Sequence, residues 1–158
     1  MPSAPVALVL IFGIVIPHSV PAQETGLLTV VAGSGPRGFS GDGGDARGAR
    51  LNHPLGVTVD AAGRLFIADS ASGRIRRVSP DGRIATVAGR GSSTLEGDFS
   101  GDGGPAPWAS FERPGCIVAD SAGRLFVGDA GSRRIRRIDP DGIVNSSAWL
   151  EMIPPHGF

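Results

Sequence analysis

Lysine is missing from this 158-residue chain, and all 15 basic residues are arginines. Fifteen acidic residues, interleaved throughout, bring the formal net charge to zero. No segment builds the polybasic field that a nucleic acid or an anionic membrane surface requires, so neither is expected as a partner. The all-arginine usage is what G+C-rich coding produces. Cysteine is nearly missing as well. Cys116 stands alone, which excludes an intrachain disulfide, and its apolar run Cys116-Ile117-Val118-Ala119 reads as core. Sustained helical periodicity is lacking beyond the N-terminal segment, which argues against a helix-rich fold.

Long hydrophobic runs are scarce too. Residues 6–16, VALVLIFGIVI, form an unbroken apolar stretch of 11, against the roughly 20 residues that a bilayer-spanning helix needs. Pro17 ends the run, and Val20-Pro21-Ala22 supplies small residues where a signal peptidase reads. Residues 1–22 are expected to be a secretory signal cleaved after Ala22, with the chain secreted or periplasmic and off the membrane after cleavage. No Arg precedes the run, which leaves a mis-assigned start codon or an uncleaved anchor as alternatives.

What the chain does have is 25 glycines and 13 prolines, recurring at fixed places between short apolar runs. That is the punctuation of a turn-rich all-β protein. The spacing reveals a repeat. FSGDGG at 39–44 returns at 99–104, AGRLFIAD at 62–69 returns as AGRLFVGD at 122–129, and RIRRVSPDG at 74–82 returns as RIRRIDPDG at 134–142. Pairing 39–82 with 99–142 at an offset of 60 gives 24 identities in 44 positions without a gap. Upstream the offset falls to 56, as LLTVVAG at 27–33 matches RIATVAG at 83–89. The extra residues fall in GRGSSTLEGD, where a loop lengthens at little entropic cost.

Each unit reads as four short strands: 56–60, 64–69, 74–79 and 83–89, separated by Asp-Ala-Ala-Gly, Ser-Ala-Ser-Gly and Pro-Asp-Gly turns. In RLFIAD both faces are apolar, which fits a sheet sandwiched between neighbouring sheets. Four antiparallel strands per unit, with glycine turns at even spacing, predict β-propeller blades.

GVTVDAAGRLFIADSASGRIRRVSPDG at 56–82 and CIVADSAGRLFVGDAGSRRIRRIDPDG at 116–142 resemble the NHL repeat family. The TVAG strand and the GFSGDGG loop resemble the subgroup found in secreted bacterial proteins and teneurin-like NHL domains. The resemblance covers about residues 27–142. It implies a six-bladed, TolB-like or similar propeller, used mainly for binding proteins, glycans or nucleic acid, with scattered enzymes among related propellers. It also implies a structural role for Asp69 with Arg74, and for Asp129 with Arg134: an ion pair bridging the turn between second and third strands. Arg76 and Arg77, with Arg136 and Arg137, are expected to alternate between solvent and inter-blade packing.

Ser-Gly-Asp-Gly-Gly at 40–44 and 100–104 invites a metal reading, because Asp42 or Asp102 could offer a carboxylate to Ca²⁺. The spacing matches neither an EF-hand nor a phosphate loop. A turn needing positive φ at Gly41, Gly43 and Gly44 is the expected role, and no metal or cofactor is expected. No Ser-His-Asp set or His-Cys cluster has motif spacing, so no catalytic residue is assigned. His53 sits at a loop end where the second unit has Arg113.

Counted along the chain, the strands run as an orphan fourth strand (27–33), a full blade (56–89) and a partial blade (116–140), with 143–158 read as a divergent tail. Two blades' worth of strands is fewer than a ring takes. Three readings follow: a fragment of a longer propeller, an open two-blade module, or three copies completing a six-bladed ring. The function expected is a non-catalytic binding or scaffold module outside the cytoplasm, with a protein or glycan ligand. The alternative is a fragment of a propeller enzyme, a lyase or lactonase-like hydrolase.

Overall fold

A computed structural model describes residues 28–91 and 100–147. The expected signal at 1–22, most of the inserted loop and the tail from residue 148 lie outside the described residues. The described chain is all-β, broken only by three single 3₁₀ turns at Ala46–Gly48, Ser70–Ser72 and Ala106–Trp108.

Two antiparallel sheets follow the repeat. In the first, β1 (Pro54–Val59), β2 (Leu65–Asp69), β3 (Arg74–Val78) and β4 (Ile84–Ala88) pair in chain order. In the second, β6 (Pro114–Ala119), β7 (Leu125–Asp129), β8 (Arg134–Ile138) and β9 (Ile143–Ser147) do the same, and the short β5 (Gly104–Pro105) pairs along the outer edge of β9. These are two propeller blades. Their turns are written in the repeat. Asp60 Oδ1 accepts from the Ala62 and Arg64 amides at 3.0 and 2.9 Å, and Arg64 Nε donates to Oδ2 at 2.6 Å. Asp120 and Arg124 repeat the set. These bonds favour the ionised form, and Arg64 and Arg124 hold both carboxyls below the usual aspartate range, against what burial costs Asp60.

Two expectations about the ends need correction. Residues 143–147 are not tail: Ile143–Ser147 is the fourth strand of the second blade, hydrogen-bonded along β8 from Ile138↔Val144 to Ile135↔Ser147. Asn145, Ser146 and Ser147 hid it, because they lack the apolar alternation that marks a strand in sequence. Conversely, the orphan segment forms no strand over 28–33. Gly33 N donates to Ala46 O and Ser34 N to Ala49 O, as Gly89 and Arg90 do to Ala106 and Ala109. The segment thus occupies the place of a fourth strand without a sheet beside it, and Leu28 is 97% exposed.

The blades stack face to face. Phe66, Ala68, Ile75 and Ala88 of the first join Ala106, Ala109, Phe111, Ile117, Leu125, Val127, Ile138 and Val144 of the second in one buried cluster. A smaller cluster, with Ile67, Val78 and Ile84, lies on the first blade's other side beneath Ala46 and Ala49. The inner strands β1 and β6 approach so closely that a Cβ on Gly56 would overlap the Gly115 carbonyl oxygen.

One repeat position differs in backbone cost. Gly73 takes φ 61°, and Arg133, its equivalent in the second blade, takes φ 56° with an exposed side chain. A left-handed non-glycine residue costs about 1–2 kcal/mol, part of which glycine returns through unfolded-chain entropy. Arg133→Gly is expected to stabilise the fold by roughly 0.5–1 kcal/mol, read as a higher urea midpoint. An unchanged or lower midpoint would refute it.

Candidate functional site

The charged residues singled out from sequence converge on one device per blade. Arg76 leaves β3 on the same side as Val78 and is fully buried beneath the glycine-rich loop. Its Nη2 meets Asp42 Oδ1 at 2.7 Å and the Ser40 carbonyl at 3.1 Å, and Nη1 lies 3.7 Å from Asp69 Oδ2. The guanidinium also stands 4.7 Å from the Phe39 ring centroid. The second blade repeats this: Arg136 Nη2 to Asp102 Oδ1 at 3.0 Å and to Ser100 O at 3.3 Å, Nη1 to Ser110 O at 2.9 Å, and Phe111 beneath at 5.0 Å. Each buried arginine clamps its loop onto its sheet.

The buried aspartates complete the clamp from β2 and β7. Asp69 Oδ1 accepts from Asn52 N at 2.6 Å. Asp129 Oδ2 accepts from Glu112 N at 3.1 Å and from the Ser132 hydroxyl at 2.8 Å. Burial pushes the Asp129 carboxyl above the usual aspartate range despite these bonds and the charge of Arg136. Burial also draws Arg136 down, with Asp102 opposing, though a guanidinium stays charged.

The expected Asp69–Arg74 bridge is therefore not the pairing made. The two residues are opposite each other in register, yet Arg74 donates to the Ser72 and Arg90 carbonyls, both at 2.9 Å, and stacks over Phe39 at 3.8 Å. Arg74 begins its strand and reaches outward, whereas Arg76 lies deeper, where Asp69 needs a counter-charge. In the second blade the charge of Arg136 acts on Asp129. Nor do Arg76 and Arg136 share their exposure with solvent, as alternation suggested. Their importance was signalled only by the joint recurrence of Asp42 with Arg76 and Asp102 with Arg136 at the same offset.

The same contacts bear on the metal reading. Asp42 and Asp102 each face a guanidinium, which a cation would have to displace. Among the described residues no three His, Cys, Asp or Glu side chains stand together. Two of the three loop glycines turn as expected, Gly41 at φ 92° and Gly43 at φ 83°, but Gly44 does not take a positive φ; Gly41 is too close to Ala49 for any side chain. Cys116 is exposed rather than in the core. His53 and Arg113 share φ 59° at equivalent loop ends, just before Pro54 and Pro114.

With the geometry in hand, likeness to known proteins becomes informative. The sequence profile of the Teneurin NHL domain matches residues 28–97. Teneurin-1 of Mus musculus is 38% identical over 97 residues, covering 56% of this chain and 4% of its own length. NHL repeat-containing protein 2 of Gallus gallus is 33% identical over 96 residues, covering 58% of this chain and 12% of its own. The duplicated unit is an NHL repeat. A solved auxiliary nutrient binding protein from Bacteroides thetaiotaomicron superposes with a TM-score of 0.55 at 27% identity, over 76% of this chain and 29% of that one. This NHL chain thus spans at most about an eighth of the two curated relatives and under a third of the solved one.

Proposed function

We propose that this chain is a binding and scaffold module without catalysis of its own, working outside the cytoplasm, whose first partner is another NHL blade supplied by a second copy. The observation that carries it is a pair of open faces matching the two halves of the joint already closed inside the chain. Ile117 is 5% exposed against the first blade, while Val57, its equivalent 60 residues earlier, is 51% exposed. On the far side, Val118 is 59% exposed where its equivalent Thr58 is half-buried and accepts from Ala119 N at 3.3 Å. Head-to-tail contact of this kind closes into a ring or runs on as a filament. A net charge of zero imposes no overall repulsion between copies. The nutrient-binding role named for the solved protein supports a binding function, and the apolar run at 6–16 supports export.

Cys116 gives the test. In a joint of the internal kind its position faces a neighbour's backbone as Gly56 faces Gly115, and because a Cβ there overlaps that carbonyl, the strands must sit further apart at Cys116 than they do at Gly56. The sole thiol should therefore alkylate more slowly as protein concentration rises, while sedimentation reports larger species. Cys116→Gly removes the side chain at the point of closest approach and should strengthen the association. A chain that stays monomeric at high concentration, with alkylation independent of concentration, would overturn the partner assignment. Recovery outside the cytoplasm with Gln23 as the first residue would support export; a cytosolic chain retaining residues 1–22 would refute it.

A further inference from the structure

The joint between the blades contains a cleft of about 380 Å³ that neither the clamps nor the open faces use. It lies between β3 and β4 of the first blade and the β7–β8 side of the second, so both walls belong to this chain. Phe66, Val87, Leu125 and Ile138 supply apolar wall, and Arg64, Arg77 and Asp139 supply charge. Arg64 is engaged by Asp60. Arg77 is different: among the described residues no hydrogen bond or ion pair engages it.

Comparison of the repeats explains the vacancy at Arg77. In the second blade Arg137, its equivalent, holds Asp139, with Nε 2.9 Å from Oδ1 and Nη2 donating to Oδ2 at 3.0 Å. The first blade has Ser79 where the second has Asp139. The fold thus builds the same guanidinium twice and supplies its carboxylate once. A guanidinium fork is matched to a carboxylate and gains most where water is partly excluded. The volume falls within the roughly 300–1,000 Å³ typical of small-molecule sites.

We infer that the cleft binds a small organic carboxylate with an apolar body, its carboxylate on Arg77 and its body against Phe66, Val87, Leu125 and Ile138. The site lies within the chain and stands whether or not copies associate. The test is saturation binding of phenylacetate to the whole chain, followed by ligand-observed NMR, with neutral phenylacetamide and inorganic phosphate as comparisons. Phenylacetate should bind, and phenylacetamide should bind roughly tenfold more weakly or worse. Phosphate should bind less well than phenylacetate, because it cannot use the apolar wall. Arg77→Gln should lose phenylacetate binding. Ser79→Asp supplies the missing internal carboxylate and should also abolish binding while leaving the fold as stable as before. Absence of phenylacetate binding, equal binding of the amide, or undiminished binding by the folded Ser79→Asp chain would each overturn the assignment.

Discussion

Arg136→Ala should cost about 3–5 kcal/mol of folding stability, the range found when one partner of a buried ion pair is removed. The cause is what the substitution leaves behind. Asp102 keeps 34% of its side chain exposed and can turn to water, but Asp129 is 1% exposed and would be stranded as a buried charge. The Ser110 and Ser100 carbonyls lose their donor at the same time. A pH signature separates this from simple loss of packing. Burial already raises the Asp129 carboxyl in the folded protein, and removing Arg136 raises it further. A carboxyl with a raised folded pKa binds more protons folded than unfolded, so its contribution to stability falls as pH rises. The deficit should therefore shrink as pH is lowered from neutrality toward the usual aspartate range, with the parent protein measured in parallel. Asp129→Asn in the Arg136→Ala background should restore part of the loss at neutral pH, since an amide oxygen still accepts from Glu112 N. Urea titrations at several pH values check each step. A pH-independent deficit below about 1 kcal/mol would show that the clamp contributes little.

The duplication made most of this architecture legible. Strand number, turn positions and the two-sided burial of RLFIAD all follow from local chemistry that the repeat states twice. What stayed hidden depends on neighbours rather than on local sequence. Residues 28–33 carry a good strand sequence yet form none, because no sheet lies beside them. Ile143–Ser147 carries a poor one and forms a strand, because β8 offers its edge. The clamp was half legible: Asp69 and Asp129 stand out in the repeat, but register alone favoured Arg74 over Arg76. Depth beneath the glycine-rich loop decides between them, and depth is a tertiary property. Arg77 illustrates the reverse case. Its lack of a partner is visible in the one-residue difference between Ser79 and Asp139, but it gains meaning only once both residues line one joint.

The same dependence on neighbours makes Phe111 the apolar side chain on which the blade joint most depends. Phe111→Ala should destabilise by about 3–5 kcal/mol, the range for a fully buried aromatic truncated to alanine. Phe111 is 1% exposed, lies in the cluster shared by both blades and forms the surface beneath Arg136. Its removal therefore leaves a cavity that two stacked sheets cannot readily collapse. Leu51 holds the same repeat position in the first blade, but it is half-buried and packs against the smaller cluster with Ile67, Val78 and Ile84. Leu51→Ala should accordingly cost clearly less, and the ratio of the two losses measures how much a blade gains from a neighbour. Conditions that drive copies together should narrow that ratio, because Leu51 would then be covered as Phe111 already is. Urea midpoints for both variants at low and high protein concentration make the comparison. Equal losses at low concentration would mean that the joint between the blades contributes nothing beyond each sheet's own core.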